Sequence, residues 1–229
     1  MGFVSSADPI QFIVEVVDGK NQHSGIGADV ARELADLLGV KARFTVQPWK
    51  RAIISLGAGD ADAIIGISKT AERKHFTYYP ETPIISEEIA LLTLTERTHE
   101  FTNISDLTDK TCGVARGYSY GPQVDNNESF HRLEVSHPIL QLRMLVGKRI
   151  DCAIMSKQAY LQLTSKQEFA AETTIAMELE PSLSYIGFSL KHFSQIFPGK
   201  IQAIESALKT LEASGRITQI QEQYRPKPD

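Results

Sequence analysis

The chain has 229 residues, of which 42% are apolar, 23% charged and 8% aromatic. That composition excludes wholesale disorder and a fibrous repeat, and no apolar run nears the roughly 20 residues of a membrane-spanning helix. A net charge of −4, from 24 basic and 28 acidic residues, lacks the basic footprint that nucleic acid demands.

The length suits two domains of about 110 residues or one large domain. The start, Met1-Gly2-Phe3-Val4-Ser5-Ser6, shows neither the basic nor the apolar region of a signal peptide. It is compatible with a chain from which an export signal has been removed.

Val30, Leu34, Leu37 and Leu38 share one helical face, and Gly39 is a stop for that helix. Residues 44–46 read as a strand, 51–56 as a short helix closing near Gly57 and Gly59, and 61–67 as a buried strand. Thr70 caps a turn through Arg73. Ile201, Ile204, Leu208 and Leu211 mark another helix, ended by Gly215, and 217–224 begin a last one. Helices alternating with strands predict an α/β protein with mostly parallel sheets.

One unit occurs twice. A helix with Ile53 and Leu56 leads through Gly59 to Asp62-Ala63-Ile64, and a helix with Leu142 and Leu145 leads through Gly147 to Asp151-Cys152-Ala153-Ile154. Two lobes are therefore expected, residues 1–91 with 190–229 and residues 92–189. The first crossing between them is expected at 88–95, followed by polar 96–100, and the second near 187–190.

Gly117-Tyr118-Ser119-Tyr120-Gly121 fits the G-x-S-x-G turn of serine hydrolases, after an expected strand at 111–115 and before Pro122. Asp151 and His192 would complete the order, but no glycine-rich oxyanion segment precedes them. The favoured reading is anion binding by the free backbone N–H groups of this small-residue turn at a helix N-terminus. The six histidines lack metal-site spacing, so no metal or cofactor is expected. Asp62 opens a strand and reads as a cap for backbone N–H groups beside Asp60. Tyr78-Tyr79-Pro80 with Pro83 reads as a rigid aromatic turn. Trp49, beside Lys50 and Arg51, is placed in a loop as either packing or a ligand-facing wall. Cys112 and Cys152, each within an apolar stretch, are expected as buried, unpaired thiols.

Taken together, the units resemble a known family. Gly25-Ile26-Gly27-Ala28-Asp29-Val30, Pro48-Trp49, the stretch 56–62 and Thr70-Ala71-Glu72-Arg73 look like the first lobe of bacterial extracytoplasmic solute-binding proteins of the polar amino-acid group. Asp106-Leu107-Thr108-Asp109-Lys110 with Gly113-Val114 and Gly117 resembles the start of the second lobe. The stretch 208–224, with Ser214-Gly215-Arg216-Ile217, is similar to the closing helices.

The resemblance implies the type II periplasmic binding fold, two lobes closing over a small polar solute. It implies that Arg73 pairs with a ligand carboxylate, that Ser68 and the Gly66 backbone line the binding end of a strand, and that Thr70 supports that turn. Trp49 falls where an aromatic covers the ligand, and Ser119 and Tyr120 where backbone N–H groups meet the carboxylate. Two positions depart from the pattern. Ser156 stands where the family's acid for an α-ammonium is expected, and Ala7-Asp8 precede Pro9 in place of an aromatic residue. Either another acid such as Asp8 takes the role, or the ligand is not a standard α-amino acid.

The expected function is non-catalytic binding of a carboxylate-bearing solute, an amino acid or derivative, by a periplasmic monomer. That protein would deliver its solute to the membrane permease of an ABC-type transporter. The alternatives are the sensory input domain of a signalling protein, and an enzyme on this fold, a dehydratase or serine hydrolase.

Overall fold

The computed structural model describes residues 10–15, 25–165, 169–191 and 200–224, the first stretch by its backbone alone. In chain order come β1 (Ile10–Glu15), α1 (Ile26–Leu37), β2 (Ala42–Gln47), α2 (Trp49–Ala58), β3 (Ala63–Ser68), β4 (Thr77–Tyr78) and β5 (Ile85–Leu94). Next are β6 (Thr111–Ala115), α3 (Pro122–Asp125), β7 (His131–Val135), α4 (Pro138–Val146), β8 (Cys152–Ser156) and α5 (Lys157–Thr164). The long β9 (Thr173–Ser189) precedes α6 (Ile201–Ala213) and α7 (Arg216–Gln223). The chain divides into two compact units, residues 1–85 with 183–229 and residues 86–182.

In the first unit the strand order is β2-β1-β3-β9, with β4 also on β9. β1 runs parallel to β2 and β3, whereas β9 is antiparallel to β3. The core joins Val30 and Leu34 of α1, Ile65 of β3, Ile186 and Phe188 of β9, and Ile204, Leu208 and Ile217 of the closing helices. Each such aliphatic side chain contributes about 1.5–3 kcal/mol by leaving water.

Two expected core residues fall outside it. Leu37 is 52% exposed and Ile201 40% exposed. Each is the terminal residue of its helix, where the apolar stripe runs past its partner, and Leu38 in the following turn takes up the contact. Gly66, at φ +82°, sits where the β3–β9 register shifts between Ile65 and Ile67, a backbone state that a Cβ strains.

In the second unit the order is β9-β5-β8-β6-β7, with β6 parallel to β7 and β8, and β5 antiparallel to β8. Both sheet faces are covered. Ile89 and Leu91 of β5 pack with Val114 and Ile154 on one face; Ala90 and Leu92 pack with Ala153, Met155, Leu142 and Leu145 on the other. Burial on two faces explains why these strands read as continuous apolar runs.

Cys112 and Cys152 are both fully buried, as expected, but not unpaired: they form a disulfide. They are direct partners in the parallel β6–β8 register, with Cα atoms 4.6 Å apart across 40 residues of sequence. That pairing is a consequence of strand register, which the local apolar context of each thiol does not reveal.

Candidate functional site

In the first unit the expected residues gather at the carboxyl end of β3. Ser68 closes the strand and is nearly buried, and its carbonyl accepts hydrogen bonds from Arg73 Nη1 and from the Tyr79 hydroxyl, both at 3.1 Å. Thr70 Oγ1 accepts the Arg73 backbone N–H at 3.2 Å, so the expected cap is present and the chain enters a single 3₁₀ turn at Arg73. Through these bonds the Arg73 guanidinium is held in place while only 6% exposed. Its central carbon lies 5.9 Å from the centre of the Trp49 ring.

Trp49 is not a loop residue. It opens α2 directly after Pro48, whose φ of −57° suits the position before a helix, and it is 8% exposed. Burial pushes the Tyr79 phenol up to about 12, against the opposing pull of Arg73. Tyr79 packs edge-on against Tyr185 at 5.9 Å between ring centres. The Lys69 ammonium lies 4.0 Å from the centre of Tyr185 and donates to the Pro80 carbonyl. Burial, with Lys74 adding to it, lowers the Lys69 pKa. The result is a nearly buried guanidinium at a strand end beside an aromatic wall, a setting that favours a carboxylate partner.

In the second unit the turn after β6 is organised differently from the expectation. The Asp125 carboxylate accepts the Tyr120 N–H at 3.0 Å and the Ser119 hydroxyl, so an acid of the chain itself already holds one of the two N–H groups assigned to a ligand. The Tyr120 ring turns inward, and its oxygen accepts the Ala115 N–H at 2.8 Å. Burial raises the pKa of that phenol. The hydrolase order fails on the same geometry. Ser119 is bonded to a carboxylate, while Asp151 is engaged by the Thr111 N–H at 2.9 Å and Arg97 at 3.3 Å. Asp8 and His192 lie outside the described residues.

Ser156 ends β8 and caps α5, its hydroxyl oxygen accepting the Ala159 N–H at 3.4 Å. It also hydrogen-bonds Glu87, a half-buried residue of β5 that the sequence reading left out. Burial raises the Glu87 pKa, and the Ser156 bond acts in the opposite direction. The sequence did carry a signal for it: Glu87 shares the period of Ile89 and Leu91, both on one buried face. Among the described residues no cluster of histidine, cysteine or acidic side chains is suited to hold a metal ion.

The model of the family described as bacterial extracellular solute-binding proteins, family 3, matches residues 2–227. No curated protein matches the chain in sequence. Among solved structures, the amino acid ABC transporter substrate-binding protein AbpA of Streptococcus pneumoniae, bound to L-arginine, superposes with a TM-score of 0.72 at 18% identity, over 95% of this chain and 94% of that one. The GluR0 ligand-binding core of Nostoc punctiforme, in complex with L-glutamate, gives 0.74 at 17% identity over 94% and 99%. A histidine kinase sensor domain with similarity to periplasmic binding proteins gives 0.76 at 14% identity over 94% and 95%. At such identities the likeness is one of fold, the type II periplasmic binding architecture.

Proposed function

The chain belongs to the bacterial extracellular solute-binding proteins, family 3, and from that premise we propose that it binds a small carboxylate-bearing solute, an amino acid or a derivative, without catalysis. In this reading it works in the periplasm as a monomer, closes on its solute by a hinge, and delivers it to the permease of an ABC-type transporter.

The observation that carries the proposal is Arg73. It is nearly buried, bonded to the end of β3 and faced by Trp49, at the carboxyl end of a strand where open α/β sheets hold ligands. Solved relatives of the fold carry L-arginine or L-glutamate, each a carboxylate. The disulfide supports an oxidising compartment outside the cytoplasm.

Calorimetry against the common L-amino acids tests this. Arg73→Lys, which loses the planar fork, is expected to weaken binding at least about tenfold. Arg73→Ala removes a buried charge partner, worth about 3–5 kcal/mol, and nearly abolishes it. Near-wild-type affinity in folded Arg73→Ala would sink the assignment.

The likeness to a kinase sensor domain favours one second reading, a sensory input domain. Deleting the gene separates the two: a transport component is needed for uptake of the bound solute, and a sensor is not.

A further inference from the structure

Tyr79 has no part in the solute-binding reading, yet its hydroxyl and the Arg73 guanidinium meet on one atom. Both donate to the Ser68 carbonyl, the Tyr79 hydroxyl and Arg73 Nη1 each at 3.1 Å. A carbonyl oxygen has two lone pairs, so two such donors fix its direction and divide it between them. Burial pushes the Tyr79 phenol up to about 12, so at neutral pH its oxygen keeps the proton that makes it a donor.

Tyr79 is itself held from two sides. Its ring packs edge-on against Tyr185, at 5.9 Å between centres. Its backbone is held by Glu205 of α6, whose carboxylate accepts the Tyr78 hydroxyl before it and the Glu81 N–H after it, the latter at 3.3 and 3.2 Å to the two oxygens. One turn further along α6, Lys209 pairs with Glu81 at 2.6 Å. All these residues belong to the first unit. The segment 78–81 thus connects a helix to Arg73 through a phenol that donates to the carbonyl the arginine also uses. A guanidinium grips a carboxylate through two parallel bonds in one orientation only, so a guanidinium held in advance binds more tightly than one left to rotate.

We propose that Tyr79, its backbone clipped by Glu205, is a positioning residue that sets the direction of the Arg73 guanidinium by fixing the Ser68 carbonyl. It acts on a ligand carboxylate only through Arg73. Its effect on affinity rests on the solute-binding reading, whereas its effect on the guanidinium does not.

Two measurements test this. Without ligand, nitrogen-15 NMR of arginine-labelled protein reads how fast the Arg73 guanidinium turns about its Nε–Cζ bond, the signal being the one that Arg73→Lys removes. Tyr79→Phe keeps the ring and loses the hydroxyl, and should speed that rotation about fivefold, the worth of one hydrogen bond. Calorimetry with the common L-amino acids reads the consequence. Tyr79→Phe should weaken binding about fivefold in the wild-type background and under about twofold in Arg73→Lys. Circular dichroism checks that each variant is folded. Should Tyr79→Phe not fold, Glu205→Ala, which leaves Tyr79 in place, is expected to speed the rotation at least about twofold. Unchanged rotation in the folded variant overturns the inference. So does an equal loss of affinity in both backgrounds, which would make Tyr79 a structural residue or a direct contact. Wild-type protein that binds no amino acid defeats the amino-acid reading, and the rotation rate alone then decides the positioning role.

Discussion

In the first unit the strands run β2-β1-β3-β9 and in the second they run β7-β6-β8-β5. In each, a central strand has two parallel neighbours and the fourth strand is antiparallel to the third. In each, the third strand ends on a serine, Ser68 or Ser156. The means of holding that plan differ. The first unit is closed by α6 and α7, packed on α1 and tied by Arg216 to Glu33, by Gln221 to the Ile84 carbonyl and by Tyr224 to Asp29. Among the described residues the second has no such closing pair, and it joins its two middle strands covalently. The strand ends differ too. Ser68 offers its carbonyl to a guanidinium, while Ser156 offers its hydroxyl to a carboxyl group. A shared topology sets where a site forms, and the residue types at the strand ends decide which charge it prefers.

The comparison breaks most sharply at the cross-link. Replacing Cys112 and Cys152 together by serine frees a loop of 40 residues, which corresponds to about 4 kcal/mol in the chain-entropy account. Hydrogen exchange should then quicken in β6, β7 and β8, with protection of β2 and β3 unchanged. Equal loss of protection in both units would show that they unfold as one.

A smaller effect is expected at Gln141, which bridges two strand carbonyls where Gln221 of the first unit reaches a single carbonyl. Fully buried on α4, it donates through Nε2 to the Gly113 carbonyl of β6 at 2.8 Å and the Ile154 carbonyl of β8 at 2.7 Å. Its Oε1 has no hydrogen-bond partner, so the residue bridges the strands through its donors alone. Gln141→Leu strands two buried carbonyls and should lower stability by about 2–3 kcal/mol in urea unfolding. A neutral result would mean that the strands need no bridge from the helix.

Much of this plan was legible in the sequence, and the failures share a cause. β3 and β8 were visible because burial on both faces leaves an apolar run that no loop imitates. The Thr70 cap and the arginine after it were visible because their bond spans three residues. The cysteine pair, the Asp125 carboxylate at Tyr120 and the Glu87–Ser156 bond were not. Each depends on strand register or on the fold of a turn, and Ser86-Glu87-Glu88 reads on its own as an exposed polar step. Trp49 was misplaced by local context, since a proline before it signals a helix start as readily as a loop.

Among the ties that close the first unit, the Arg216–Glu33 pair is expected to matter least. Arg216 Nε and Nη2 both reach one carboxylate oxygen, at 2.8 and 2.6 Å, yet both side chains are over a third exposed. Arg216→Ala should cost about 0.5 kcal/mol, and less at high salt. A loss comparable to that of the disulfide would assign the clamp to this pair and not to the apolar contacts beneath it.

The finest distinction between the units lies in pH. In the fold the Glu87 pKa stands above its ordinary 4.5, raised by burial and partly restrained by the Ser156 bond. Glu87 and Asp125 in turn add to the burial that raises the neighbouring Tyr120 phenol. Between the unfolded and folded values the native chain holds a proton at Glu87 that the unfolded chain has released. Stability of the unliganded protein therefore falls as pH rises through that window, and the penalty is complete above the folded value. Glu87→Gln cannot titrate. Without ligand it should be more stable than wild type at neutral pH, and the difference should close below about pH 4, where the carboxyl is protonated in both states. Subtracting the two stability curves removes every carboxylate they share, so the remaining slope belongs to Glu87. A variant less stable than wild type by the same amount at every pH would show instead that this carboxyl anchors the strand end, and that the acidic character of the second unit lies elsewhere.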